Sequence, residues 1–306
     1  MAEKRKFYGM RNDYMFHAVL QKNEEVLRNL LATLLEIDEA EIESCHIENP
    51  IELGKEIEGK ECILDVKLTL NNDKVINIEL QVYKQTYWIN RSLLYWARTY
   101  DNLKSGQDYS MLLPAYHIGI LDFTLFENHP KFMAQYQILD VEDGYLYSDK
   151  LCIKVLDLTQ LEKAKQESET NKKLLKWASI FKAETLEELE QLASGEEVFE
   201  NMVVTMKKLS EDEKIRMQCE AREDYERSLL TEYNAGKSEG IEQGLQQGIA
   251  SERCNTEKER QRAEKERQRA EKESQRAEKE SQRAEKESQR ADALAAEVER
   301  LRALLK

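Results

Sequence analysis

Between Cys62 and Tyr83 the chain reads CILDVKLTLNNDKVINIELQVY, two alternating runs on either side of Asn71, Asn72 and Asp73. A period of two is the pattern of a half-buried strand, and two such runs around a short polar break predict a β-hairpin. In the first run Leu64, Val66, Leu68 and Leu70 point one way, and Asp65, Lys67 and Thr69 point the other. In the second run Ile76, Ile78, Leu80 and Val82 are the apolar set, opposed by Asn77, Glu79 and Gln81. Both apolar sets must share one buried face, because a slip of one residue would turn over every side chain of a strand. A three-residue loop at Asn71–Asp73 delivers that register, and Asn and Asp tolerate the left-handed backbone such loops need. The register sets Asp65 directly opposite Glu79, with Gln81 on the same face.

Opposed side chains on paired strands have β-carbons about 4.5–5.5 Å apart, and two like charges there destabilise the pair. Two arrangements relieve the repulsion. Both carboxylates could hold a divalent cation, since hard ions such as magnesium favour carboxylate oxygens and keep some of their waters. Alternatively the face is solvated, and Lys67, diagonal to Glu79, neutralises it. The alternation by itself leaves both open.

An Asp on one strand and Glu-x-Gln on the next resembles the active-site hairpin of the PD-(D/E)XK nuclease superfamily. The flanks narrow the resemblance. Asn12-Asp13-Tyr14-Met15-Phe16 opens the first helix, and Leu64-Asp65-Val66 with Ile78-Glu79-Leu80-Gln81 forms the hairpin. Arg91-Ser92-Leu93-Leu94-Tyr95 sits in the next helix, followed by Leu103-Lys104-Ser105-Gly106-Gln107-Asp108-Tyr109. In that order the segments are similar to the PD-(D/E)XK nuclease family transposases, the Rpn family of recombination-promoting nucleases. The resemblance is strong over the first half and extends more weakly to the helical region near Glu239.

The resemblance implies a metal-dependent DNA endonuclease that promotes recombination. Asp65 and Glu79 would hold Mg2+ or another divalent cation, Gln81 would complete the catalytic set, and Asp13, Arg91 and Tyr95 are supporting candidates. Gln81 stands where many superfamily members carry Lys. An amide can orient a water or a phosphate oxygen but supplies no positive charge, which leaves Arg91 or Lys67 to provide it. Family members also carry Lys after the Phe, where this chain has His17. The implied fold class is α/β, a restriction-endonuclease-like αβββαβ core followed by a helical subdomain and a long C-terminal helix.

Composition weighs against part of this. Formal net charge is −14 and charged residues are 35% of the chain. Affinity for nucleic acid comes largely from neutralising phosphates, so any contact with DNA must use a local basic patch or a metal bridge. The five cysteines, Cys45, Cys62, Cys152, Cys219 and Cys254, are scattered without CxxC, and the four histidines lack zinc spacing. They read as buried or incidental thiols in a reducing cytoplasm. The basic start has no apolar core behind it, and no apolar run reaches a membrane span, so the expectation is a soluble cytoplasmic protein with no membrane partner.

In chain order, Asp13 reads as a helix N-cap or, as the resemblance suggests, an acid near the cleft. Apolar residues from Phe16 to Leu35 recur at helical spacing, with a break near Asn23. Glu41–Ile47 predicts a first strand and Asn49–Gly59 a loop. After the hairpin, Thr86 to Lys104 reads as a helix with Trp88, Leu94 and Tyr95 among its apolar positions. Arg91, Tyr95 and Arg98 share one face at i, i+4, i+7, suited either to gripping a phosphate or to plain exposure. Met111–Phe123 suits a strand buried on both faces, and Tyr136–Val141 and Leu151–Leu158 extend the sheet. Residues 1–160 thus form the nuclease-like domain. Residues 161–235 form the helical subdomain, with apolar groups at Leu174–Phe181 and Met202–Leu209 and a helix start at Ser210–Glu213.

Residues 236–306 form the tail. Gly236, Gly240, Gly244 and Gly248 recur every four residues, and EKERQRA or EKESQRA units then repeat with a period of seven. A stable coiled-coil seam wants two apolar positions per heptad, and each unit offers one Ala. Opposite charges three and four apart, as in Glu259 with Arg262 and Arg267 with Glu271, support a long solvated helix. Leu294, Val298, Leu301 and Leu305 give the end an apolar face able to close a homo-oligomer. The alternative function is therefore a catalytically inactive nuclease-fold binding or scaffold protein that oligomerises through this tail.

Overall fold

The computed structural model describes residues 6–51, 53 and 65–304. The apolar periodicity after Phe16 becomes two helices, α1 (Asp13–Lys22) and α2 (Glu24–Leu35), and the break falls at Asn23. Asn23 closes the first helix and caps the second, its side chain accepting the Val26 N–H. Asn12, not Asp13, is the N-cap of α1: its oxygen accepts the Met15 N–H at 3.1 Å. Asp13 is the first helical residue, which frees its carboxylate for another partner.

Three strands follow, β1 (Cys45–Ile47), β2 (Val66–Leu70) and β3 (Lys74–Gln81). The first is shorter than the Glu41–Ile47 expected. Asp38 and Glu41 form a reciprocal capping box around a 3-10 turn at Glu39–Glu41, and this takes up the leading residues. In the hairpin Leu70 pairs with Lys74, so Asn71–Asp73 is the loop, with Asn71 and Asn72 at positive φ. Leu64 and the Cys62 end of the predicted strand lie outside the described residues, as does most of the Asn49–Gly59 loop.

Next come α3 (Trp88–Tyr100), β4 (Ala115–Leu121), β5 (Met133–Leu139) and β6 (Leu146–Asp157). The six strands form one mixed sheet in the order β1-β2-β3-β4-β6-β5. Its centre, β3-β4-β6, is parallel and the remaining pairs are antiparallel. α3 makes the crossover between parallel β3 and β4. The order αα, βββ, α, β matches a restriction-endonuclease-like core.

Then follow α4 (Leu161–Ala164), α5 (Lys172–Lys182), α6 (Leu186–Ala193), α7 (Glu197–Glu211) and α8 (Glu213–Leu304). Ser210 is not a helix start. It lies inside α7, which runs on past buried Leu209. Asp212 interrupts the chain instead and caps α8 by accepting the Lys214 N–H at 2.9 Å. Two compact units result, residues up to Leu230 and residues from Thr231. In the second unit the described side chains up to Val298 are exposed, and the bonds seen within its repeats join Gln to Glu four residues back, as from Gln261 to Glu257.

The two faces of the sheet are packed differently. Val66, Leu68, Ile76, Ile78, Leu80, Ile118, Ile120 and Leu156 meet α1, α2 and α5–α7 in one large core. Trp177 anchors it, stacking near Phe181 and Phe199 while its indole N–H donates to Asn29 at 2.9 Å. The other face is covered by α3, and there Trp88 packs with Leu121, Ile153 and Val155. Asp65, Asn77, Glu79, Gln81, His117 and Gly119 all belong to this second face.

Gly119 lets α3 come close. It pairs with Glu79 across the β3–β4 ladder, and the Trp88 ring lies directly over it. A β-carbon at Gly119 would fall inside the van der Waals radius of that ring, a close approach of the kind that places Gly in strand interiors. Gly119→Ala should lower unfolding free energy by about 1–3 kcal/mol, the usual range for overpacking. Chemical denaturation of wild type and variant measures this, and an unchanged midpoint would show that α3 is not seated by the glycine.

Candidate active site

The site starts from the hairpin register. Val66 pairs with Ile78, so the next positions outward are Asp65 and Glu79, opposed as the alternation requires. Both are withdrawn from water, Asp65 at 6% exposure and Glu79 at 0%. Burial first, and then the charge of Glu79, push the Asp65 carboxyl up to about 8. Arg91 and a hydrogen bond from Asn77 oppose that shift.

Lys67 does not neutralise the pair. Its ammonium meets Glu48 at 2.9 Å, because Glu48 lies just outside β1, which pairs with β2. Arg91 performs the role instead, its Nε 2.9 Å from Glu79 Oε1. The guanidinium lies over Tyr95, with Cζ 4.9 Å from the ring centre, and Arg98 approaches the same ring at 5.9 Å. The predicted Arg91–Tyr95–Arg98 face therefore exists, with Arg91 turned inward and Arg98 exposed.

Behind the carboxylates lies a buried polar row. Asn77 Nδ2 stands 3.4 Å from Asp65 Oδ2 and 3.3 Å from His117 Nδ1. An amide N–H only donates, so Nδ1 must accept, and the proton of a neutral His117 then sits on Nε2. That atom faces Glu79 Oε2 at 3.4 Å. Trp88 and Tyr95 flank the imidazole at centroid distances of 5.9 and 6.4 Å.

At the mouth, Gln81 Oε1 accepts from Gln85 Nε2 at 2.7 Å, and Gln85 Oε1 lies 3.5 Å from Arg91 Nη1. Asp13 is placed beside the pair, close enough to add to the upward shift of Asp65. It is clasped by Arg222 of α8, whose Nε donates to both carboxylate oxygens at 3.0 Å. Glu226, one turn on, is pushed up to about 7, by burial first and then by Asp13. His17 is buried within α1 and presents no surface base in place of the family's Lys.

The donors suit a hard divalent ion. Both Glu79 oxygens are buried and neither receives an aligned hydrogen bond; Arg91 and His117 approach at ion-pair distance with their N–H bonds directed elsewhere. Among the described residues no group of three or more His, Cys, Asp or Glu side chains is arranged for a metal. The protein thus offers two carboxylates, and water would fill the remaining positions, as is usual for magnesium.

The structure brings Asp65, Glu79, Gln81, Arg91, Tyr95 and Asp13 into one region. Asn77, His117, Gln85, Arg222 and Glu226 were missed. His117 had a faint signal, a polar residue within an otherwise apolar strand, whereas Arg222 had none, being 209 positions from its partner.

Asp65 supplies a test that needs no substrate. Its folded-state pKa is raised from 3.8 to about 8, so between those values the folded chain binds a proton that the unfolded chain releases. The contribution is therefore full below the unfolded pKa and is lost as pH rises through the window. In chelator, wild type should lose more melting temperature between about pH 5 and about pH 8 than Asp65→Asn. Equal losses would mean that the carboxyl ionises normally.

The family model described as PD-(D/E)XK nuclease family transposase matches residues 10–234. Comparisons with curated proteins and with solved structures give no match.

Proposed function

The chain belongs to the PD-(D/E)XK nuclease family transposases, and on that premise we propose that it is a metal-dependent DNA endonuclease whose cuts promote recombination. The observation that carries this reading is the opposed, buried Asp65–Glu79 pair with two Glu79 oxygens that no hydrogen-bond donor satisfies. Burying two carboxylates together is costly unless a cation is shared between them.

Asp65 and Glu79 would hold Mg2+ or another divalent cation, which when bound generates a hydroxide from water and polarises the phosphodiester. Asn77 donates to Asp65, and His117 stands beside Glu79 with its Nε2 3.4 Å from Oε2. Arg91 pairs with Glu79 and, lying over Tyr95, brings positive charge to Gln85, the partner of Gln81, which stands where many relatives have Lys. Arg98 extends that charge to the surface, a local basic patch on a chain of net charge −14. Asp13, pinned by Arg222, adds negative potential that strengthens cation binding. The exposed apolar positions Leu294 and Val298 near the end of α8 support self-association as the tail's contribution.

Magnesium-dependent nicking of supercoiled plasmid tests the reading. Asp65→Ala and Glu79→Ala should each lower the rate by about a hundredfold or more, since losing even an outer-shell partner costs 10–100-fold. If wild type leaves plasmid intact, or both folded variants cut as fast as wild type, the hairpin is a polar face and the chain a binding or scaffold protein.

A further inference from the structure

We propose that Gln85 is a positioning residue for Gln81, turning its amide so that the NH2 group, and not the oxygen, is offered to DNA. The inference rests on the nuclease reading and adds to it how this site manages without a lysine at position 81.

The direction of the hydrogen bonds fixes the orientation. A guanidinium can only donate, so the Gln85 atom facing Arg91 Nη1 at 3.5 Å must be its oxygen. The Gln85 NH2 then points the other way, and it donates to Gln81 Oε1 at 2.7 Å. With its oxygen turned toward Gln85, Gln81 is left to offer its NH2 group to the open side of the face. A scissile phosphate and its attacking water present oxygen lone pairs, which an amide oxygen would repel and an amide NH2 can bind.

Arg91 thereby acts twice. Its Nε meets Glu79, and its Nη1 starts a relay that ends at Gln81, so one guanidinium sets two of the three hairpin residues. Hydrogen bonds in series polarise each other, and a cation at the head makes the terminal N–H groups better donors. Gln81 thus takes on the donor polarity of a lysine without carrying its charge. Gln85 itself touches neither the carboxylates nor the reacting atoms.

Gln85→Leu removes the donor, and Gln85→Glu replaces it with an acceptor that would turn the Gln81 amide round. Folding should survive both, because the Gln85 side chain is half-exposed and its structural contact, the carbonyl accepting the Trp88 N–H at 3.2 Å, is backbone. Circular dichroism melts check this. Plasmid cleavage at saturating Mg2+ should fall about tenfold in Gln85→Leu, the effect of one directed hydrogen bond, and further in Gln85→Glu. The Mg2+ concentration for half-maximal rate should not move in Gln85→Leu, nor should calorimetric Mn2+ affinity, because the carboxylates are untouched. In a Gln81→Lys background the ammonium needs no orienting, and Gln85→Leu should cost nothing more.

Gln85→Leu cutting as fast as wild type would overturn the inference and leave the nuclease reading standing. So would an equal loss in the Gln81→Lys background, which would mark a general structural role. Wild type that neither binds Mn2+ nor cuts plasmid would overturn both.

Discussion

Two carboxylates facing each other in a dry part of the sheet set the terms for everything around them. Asp65 and Glu79 are forced together by the hairpin register, and Glu79 has no contact with water. The folded chain tolerates this only because several groups converge on the pair. Arg91 approaches Glu79 from above, Asn77 and His117 stand behind, and Asp65 relieves the repulsion further by keeping its proton well above the ordinary carboxylate range. A buried carboxylate pair of this kind costs stability, and strongly perturbed carboxyl groups cluster at functional sites.

The helix that supplies Arg91 is positioned by shape and not by charge. Trp88 settles on Gly119, the residue paired with Glu79, and this draws the first turn of α3 onto the sheet. Arg91 lies three residues further along and Tyr95 seven, so the same seating brings the guanidinium to Glu79 and the aromatic ring beneath it. One missing β-carbon therefore has consequences for the electrostatics of the whole face. On the opposite side of the sheet a continuous core built on α1, α2 and α5–α7 provides the rigidity against which this arrangement is held.

The unit from Thr231 onward follows a different logic. Its heptads carry charged and amide side chains that support a helix through local pairing, and the helix needs no packed neighbour to account for its sequence. Exposed apolar residues flank the heptads on both sides, Ile241, Leu245 and Ile249 before them and Leu294 and Val298 after. The match to the nuclease family ends at residue 234, before the heptad repeats begin.

Strand period and loop length were enough to determine the hairpin, its register and the opposition of Asp65 to Glu79, and helical spacing gave the shared face of Arg91, Tyr95 and Arg98. Each depends on residues close in sequence, where backbone geometry leaves few choices. Local rules failed where two plausible caps stood side by side, as at Asn12 and Asp13, or where a helix ran on because its apolar side was buried, as at Ser210. The sequence offered Lys67, diagonal to Glu79, as the neutralising charge; instead Glu48, next to β1, captured Lys67, and α3 delivered Arg91. His117, Gly119 and Arg222 join the site through strand order and helix packing. Such contacts form between segments far apart in the chain, and only the burial of the whole core decides which of them meet.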